Sequence, residues 1–467
     1  MIDRRRRNTA LLVAGCFFME NFDGTIVTTS APRMAAAFGV EPAAVGLVSA
    51  SYLITLAVLI PLSNWLTRRY GTRPVFLSAI VIFTLASLGC ALSQTLPMLV
   101  IMRVLQGVGG AMMVPVGRMA VLNTADKSDI VRLVAYIVWP ALVAPVIAPL
   151  AGGLITTYAS WHWMFLINLP LGVIAFIAAW RLIGSIDAPA PPPLDWTGMI
   201  LSGVGLGGLT YAAHLVTDPS PGIWPAVIGG LSVIIIVAAV LHLLRARHPL
   251  LNLRIWSVRT FRASQASGFA FQLAMSSVPF LLPLLFQQGL GWSAVQSGAL
   301  VIFVFVGNIG IKPATTGLIN AFGFRPLLVV ATLGLAGSVI ALGLTTAATP
   351  IPVIAILAMI SGVFRSLGMT CYNTIGLADV PPEQMGDANA LSATTHQLAA
   401  GLAIALASVA WQGATIVAGS GGGALSYGVA FVGVALFALL AAVGAIRLPA
   451  GAGDAVRQPA GTRSRRN

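Results

Sequence analysis

Apolar stretches of about 20 residues recur along the chain, the length an α-helix needs to cross roughly 30 Å of hydrocarbon. The pattern predicts fourteen such spans, over 9–31, 45–66, 75–94, 97–121, 131–157, 163–183, 197–216, 223–244, 265–287, 295–319, 326–346, 351–376, 389–417 and 426–447. Helices satisfy their own backbone groups in lipid, so the fold class expected is an all-α membrane protein. The first span is not a cleavable signal peptide. Arg4–Arg7 supply a basic flank, but the segment is too long and carries Glu20 and Asp23 in its middle.

Composition agrees: 57% of the 467 residues are hydrophobic and 8% charged, against about a quarter charged in soluble chains. The net charge of +13 raises the question of nucleic acid, and its distribution answers it. With a cytoplasmic N-terminus, the inner connections carry Arg68, Arg69, Arg73, Lys127, Arg132, Arg181, Arg245, Arg247, Arg254, Arg259, Arg262, Lys312 and Arg325, and the tail adds Arg457, Arg463, Arg465 and Arg466. The outer connections carry only Arg33. This asymmetry predicts that both termini face the cytoplasm, and the basic residues then face anionic lipid rather than nucleic acid.

Two segments repeat. Tyr70-Gly71-Thr72-Arg73-Pro74 joins spans 2 and 3, and Phe322-Gly323-Phe324-Arg325-Pro326 joins spans 10 and 11. The match predicts two related six-span bundles. The expected division is an N-terminal bundle over 1–186, a linker with two inserted spans over 187–250, a C-terminal bundle over 251–448, and a disordered basic tail over 449–467. Residues 187–195, DAPAPPPLD, read as a stiff connection. Cys16, Cys90 and Cys371 are too scattered for a disulfide framework or metal site.

Of the thirteen acidic residues, only Glu20 and Asp23 lie mid-span. Ionisable groups in hydrocarbon are costly and mark solute or proton pathways. Three residues apart, the two share a helix face with Cys16, Met19, Val27 and Ser30, while Asn21, Thr25 and Thr28 lie opposite. A helix polar on two sides is surrounded by protein. Buried carboxyls favour the neutral form and can exchange protons; a buried ion pair with a purely structural role is the alternative. Arg103 in span 4 falls at the depth of Asp23 and is its natural partner. Arg365 is placed towards the inner end of span 12, and His396 in the inner half of span 13, where a structural hydrogen-bonding role is equally open. Span 5 holds Pro140, Pro145, Pro149, Gly152 and Gly153, the makings of a bend or gate. No Walker A loop, HExxH or potassium-filter sequence is present, so neither an ATP-driven pump nor an enzyme is expected.

These residues resemble the major facilitator superfamily, and more narrowly its 14-span drug:proton antiporters. Asp23-Gly24-Thr25-Ile26-Val27 with Ala31-Pro32 is similar to the span-1 pattern. Arg103-Val-Leu-Gln106-Gly107 matches span 4, whose arginine the family associates with proton transfer. Pro149, Gly152 and Gly153 match the antiporter motif of span 5. Trp161, Trp163, Phe165, Asn168, Pro170 and Gly172 fit the start of span 6, and Asp195-Trp196, Pro283 and Gln287 fit further on. The loop motif between spans 2 and 3 keeps Arg69, Gly71 and Arg73, but Asn64, Arg68 and Thr72 depart from it. The resemblance implies two pseudo-symmetric bundles and proton-coupled efflux of small hydrophobic, often cationic compounds. Asp23, Glu20 and Arg103 would couple protons. Glu20, Asp23, Asn21, Gln106, Gln287 and His396 would meet the solute. Arg69, Gly71, Arg73, Pro145, Pro149, Gly152 and Gly153 would gate. No cofactor is expected. The expected partners are a small-molecule solute, protons and the lipid bilayer, and the chain is expected to work as a monomer in the cytoplasmic (inner) membrane. A carrier for one metabolite, or a membrane sensor that moves nothing, are the competing classes; the second gives no reason for mid-membrane acids.

Overall fold

The computed structural model describes residues 4–122, 130–184, 193–216, 222–381, 384–418, 423–449, 451 and 453. Lys127, most of the proline-rich segment and nearly all of the basic tail lie outside the described residues. Those described form helices and no strand. In chain order they are α1 (Arg4–Phe38), α2 (Gly46–Tyr70), α3 (Thr72–Ala91), α4 (Leu96–Leu122), α5 (Ile130–Tyr158), α6 (Trp163–Leu166), α7 (Asn168–Leu182), α8 (Trp196–Leu215) and α9 (Trp224–Arg245). There follow α10 (Arg259–Leu284), α11 (Ala294–Gly310), α12 (Lys312–Phe322), α13 (Phe324–Gly343), α14 (Ile351–Leu377), α15 (Met385–Ala418) and α16 (Gly423–Ile446).

Each predicted span coincides with a helix or a broken pair. Among the described residues, eleven helices are long and apolar enough to cross a membrane, and the bent pair α11–α12 makes twelve. Their outward faces carry large apolar side chains: Ile234 of α9 is 67% exposed and Leu440 of α16 60%. Only a lipid environment makes such surfaces favourable.

The chain divides into two units, one of residues up to Leu251 together with Ser293–Gly298, the other of the remainder. In the first, α1 packs on α5, α4 and α7, α3 on α4 and α7, and α2 on α4. Phe76, Phe83, Met113 and Leu133 fill the interior and are fully buried. Helices approach closely where glycine removes a side chain: a Cβ at Gly109 of α4 would lie 2.6 Å from the backbone nitrogen of Phe83 in α3. α9 packs on α8, and α8 rests on α2. Asp195 fastens this pair at its base. Its carboxylate accepts from Gly198 N–H at 2.8 Å, capping α8, from His242 Nε2 at 2.7 Å at the end of α9, and from Leu250 N–H at 3.1 Å.

In the second unit α10 packs on α14, α15 and α16, and α13 on α14 and α16. The chain enters α3 and α13 through the repeated segments in the same way. Gly71 and Gly323 sit at φ +87° and +79°, where a side chain would be strained, and the following Arg-Pro lies in the first turn of the next helix.

Two features differ from the sequence expectation. Span 10 was expected to be continuous, but α11 and α12 meet at 49°, because Pro313 lacks the N–H that would extend the ladder and crowds the preceding turn. Lys312, counted above among the inner connections, stands at this bend instead, at the start of the 11-residue α12. Second, α10 contains Pro279 and Pro283 and runs into a π-helical turn over Leu285–Gly289, with Leu290 N–H bonding Leu285 O at 2.9 Å.

Candidate functional site

Unit one holds a polar cluster in the middle of its helices. Asp23 of α1 and Arg103 of α4 are fully buried and form an ion pair through Oδ2 and Nη1. The other carboxylate oxygen accepts from Gln106 Nε2 at 3.0 Å and Asn168 Nδ2 at 2.7 Å. Gln106 returns its carbonyl oxygen to Arg103 Nη1 at 2.7 Å and donates to Ser87 Oγ at 2.7 Å. Arg103 Nε donates to Val48 O at 3.2 Å, and its guanidinium lies 4.2 Å from the Tyr52 ring centroid. Five helices, α1, α2, α3, α4 and α7, therefore contribute to one charge. A buried pair is costly to form and is held only where such hydrogen bonds satisfy it.

The cluster is nevertheless incomplete. Arg103 Nη2, Asn168 Oδ1 and the Tyr52 hydroxyl have no hydrogen-bond partner. Glu20, one helical turn from Asp23, is 9% exposed, and its Oε2 has none either. The cation whose field reaches Glu20 is Arg118 of α4, which stacks 4.9 Å from the Phe17 ring centroid and is otherwise exposed. Asp23 is thus tied on both oxygens, whereas Glu20 is not.

The structure brings together Asp23, Arg103 and Gln106. Gln106 is completely buried and committed to the ion pair. Asn21 and Thr25 are half-buried and bond back to their own helix, at Phe17 O and Asn21 O. Gln287 and His396 belong to the second unit, the first in the π-helical turn, the second half-buried on α15. Among the expected gating residues, Arg69 is exposed. Arg73 donates to Trp180 O at 2.8 Å and stacks on its ring, tying α3 to α7. Pro149 is buried and Pro145 half-buried in an unbroken α5. A Cβ at Gly152 would lie 3.0 Å from Ile26 O of α1, and one at Gly153 2.5 Å from Ala294 O; these glycines permit close packing on both sides of α5.

Arg118, Asn168 and Ser87 were not singled out as site residues by sequence. Arg118 gave a signal, a charge inside a predicted span. Asn168 and Ser87 gave none beyond their place in span patterns, since their contact with Asp23 depends on how the helices turn against each other. Arg365, expected near the inner end of its span, is the fifteenth of the 27 residues of α14 and so lies at mid-helix.

The sequence profile of the Major Facilitator Superfamily matches residues 13–403. The chain belongs to this superfamily. Its proteins are membrane transporters and not enzymes. The putative multidrug resistance protein MdtD of Escherichia fergusonii is 38% identical over 400 residues, covering 85% of this chain and 84% of that protein. A protein of the same description from Shigella flexneri is equally similar. Among solved structures, a D-xylose-proton symporter superposes with a TM-score of 0.65 at 17% identity, covering 92% of this chain and 96% of that one. A POT family transporter in complex with 5-aminolevulinic acid gives 0.69 at 13% identity, covering 94% of each. At these identities the structures share the fold alone.

Proposed function

We propose that the chain exports small hydrophobic compounds, cations among them, in exchange for protons, by alternating access in the cytoplasmic membrane. The observation that carries this reading is a buried Asp23–Arg103 pair beside a second acid, Glu20, that lacks a partner on one oxygen. Intramembrane carboxyls placed like this are suited to exchanging a proton for a solute. The multidrug description of the MdtD proteins supports the solute class. Asp23, paired with Arg103, is the principal coupling carboxyl, and Glu20, without a partner on one oxygen, adds a negative charge that favours cationic solutes. Solute contacts extend to Asn21, Gln287 and His396, with Gln106 holding the ion pair. Arg69, Gly71, Arg73 and the Pro145–Gly153 stretch gate the path.

In this reading α5 and α8 also span the membrane, giving fourteen spans with both termini inside. Residues 1–186 and 251–448 are two pseudo-symmetric six-helix bundles, and α8 and α9 are inserted between them. The like pairing of helices within each unit and the twin glycine turns at Gly71 and Gly323 support that division.

The experiment is transport by everted vesicles carrying the protein, with a panel of dyes and metabolites, together with proton release on solute addition to detergent-purified protein. Export of several unrelated hydrophobic compounds with proton exchange is expected. Uptake of one metabolite alone, or wild-type proton-driven transport by the Asp23→Asn, Glu20→Gln double variant, would overturn the reading.

A further inference from the structure

Among the described residues of the second unit one buried charge has no counterpart. Arg365 is 6% exposed at the middle of α14, and its Nε and Nη1 have no hydrogen-bond acceptor. Among the described residues no carboxylate pairs with the guanidinium. The sequence explains why. From Asn252 to Gly453 the only acids are Asp379, Glu383 and Asp387, all around the connection between α14 and α15 and none within a helix interior. Arg103 in the first unit has Asp23, Gln106 and Val48 O for its donors; Arg365 has one ring, Phe305, 5.8 Å from its centroid. An arginine cannot discharge itself by losing its proton, and an unpaired buried cation is among the costliest arrangements in a protein.

The surroundings fit an anion. Ser366 Oγ and Thr394 Oγ1, on α14 and α15, are buried hydroxyls without partners, each able to donate to an anion. These two residues lie in the interiors of helices that pack on each other. One turn inward along α14 from Ser366, Lys312 at the α11–α12 bend donates to Thr370 Oγ1 at 3.1 Å. Arg365 is thus buried inside a spanning helix and Lys312 stands exposed at the α11–α12 bend, and among the described residues no acid pairs with either.

We propose that Arg365 anchors the anionic group of a transported solute, so that hydrophobic carboxylates are among the compounds this protein carries. The proposal rests on the exporter reading and adds a charge class to it. The guanidinium fork meets a carboxylate with two parallel hydrogen bonds, Phe305 provides an apolar wall, and Lys312 draws anions from the inner side.

The test compares 1-naphthoate with its methyl ester, which keeps the ring and removes the charge. Binding to the purified full chain is followed by quenching of tryptophan fluorescence. Wild type should bind the carboxylate about ten-fold more tightly than the ester, the scale of one charge-assisted bidentate contact. Arg365→Gln should erase that preference while leaving ester binding unchanged, which also reports that the variant is folded. Arg365→Lys should keep the preference in reduced form, and it decides the matter if the glutamine variant does not fold. Equal binding of acid and ester by wild type, a preference that survives Arg365→Gln, or chloride occupying the site so that naphthoate does not bind, would each overturn the proposal. Because binding is read without a proton gradient, its failure leaves proton-coupled export standing, and loss of export in Asp23→Asn leaves this result unaffected.

Discussion

At the scale of single residues, the two acids of α1 play unequal parts. Asp23 is fully enclosed and receives hydrogen bonds from Arg103, Gln106 and Asn168. Removing one member of a buried pair strands the other, at a cost of about 3–5 kcal/mol. Asp23→Asn should therefore abolish proton-driven transport and lower the melting temperature in detergent, with the protein still inserted. Adding Arg103→Gln should recover the melting temperature, since no charge is left unpaired, without recovering transport; recovery of both would make the pair purely structural. Glu20 is free on one oxygen, so Glu20→Gln should leave stability within about 0.5 kcal/mol and chiefly weaken export of cations, sparing neutral compounds in the same vesicle assay. The pairing of Asp23 with Arg103 was legible in the sequence, because span direction and residue number together fix depth. The place of Gln106 was not. A glutamine one turn from an arginine can face solute or the ion pair, and only the packing of α4 on α3 turns it to Ser87 and Asp23.

At the scale of elements, helix positions were legible because hydrocarbon thickness sets a length that the sequence must fill. Interruptions were harder to read. The bend before Lys312 and the π-helical turn after Pro283 both depend on proline, yet α5 stays unbroken through Pro140, Pro145 and Pro149. Proline alone does not decide; the packing around it does. The α8–α9 pair depends on Asp195. Burial favours the neutral form of this carboxyl, but hydrogen bonds from Gly198 N–H, His242 and Leu250 N–H outweigh it and hold it below the ordinary value of 3.8. A depressed carboxyl stabilises the fold above its ordinary value, and that contribution is lost as pH falls through the lower folded value. Neutral pH thus has the full benefit. Asp195→Ala should cost about 1 kcal/mol, the usual worth of a helix cap, seen as a lower melting temperature at pH 7 that converges on wild type in strong acid.

At the scale of the whole molecule, orientation is open to direct measurement. The natural cysteines Cys16, Cys90 and Cys371 are all buried and unpaired, so they give little background to an added one. A cysteine at Ile223, which is 72% exposed before α9, should react with an impermeant maleimide on intact cells. One at Arg247, exposed just after α9, should react only in everted vesicles. The reverse pattern would invert the topology proposed here. The hydrogen bond from Leu250 N–H to Asp195 also bears on how such a chain could be assembled over evolution. It brings the backbone N–H at the end of a segment of two hydrophobic helices to 3.1 Å from the side chain of the residue that begins it. That segment is a cassette whose ends are held together by one side chain. An in-frame excision joining Leu194 to Leu251 would have to close only a gap that one aspartate side chain now bridges, so a shorter transporter is one deletion away, and the longer one is reached by a single insertion at a point where the two ends of the segment already lie side by side.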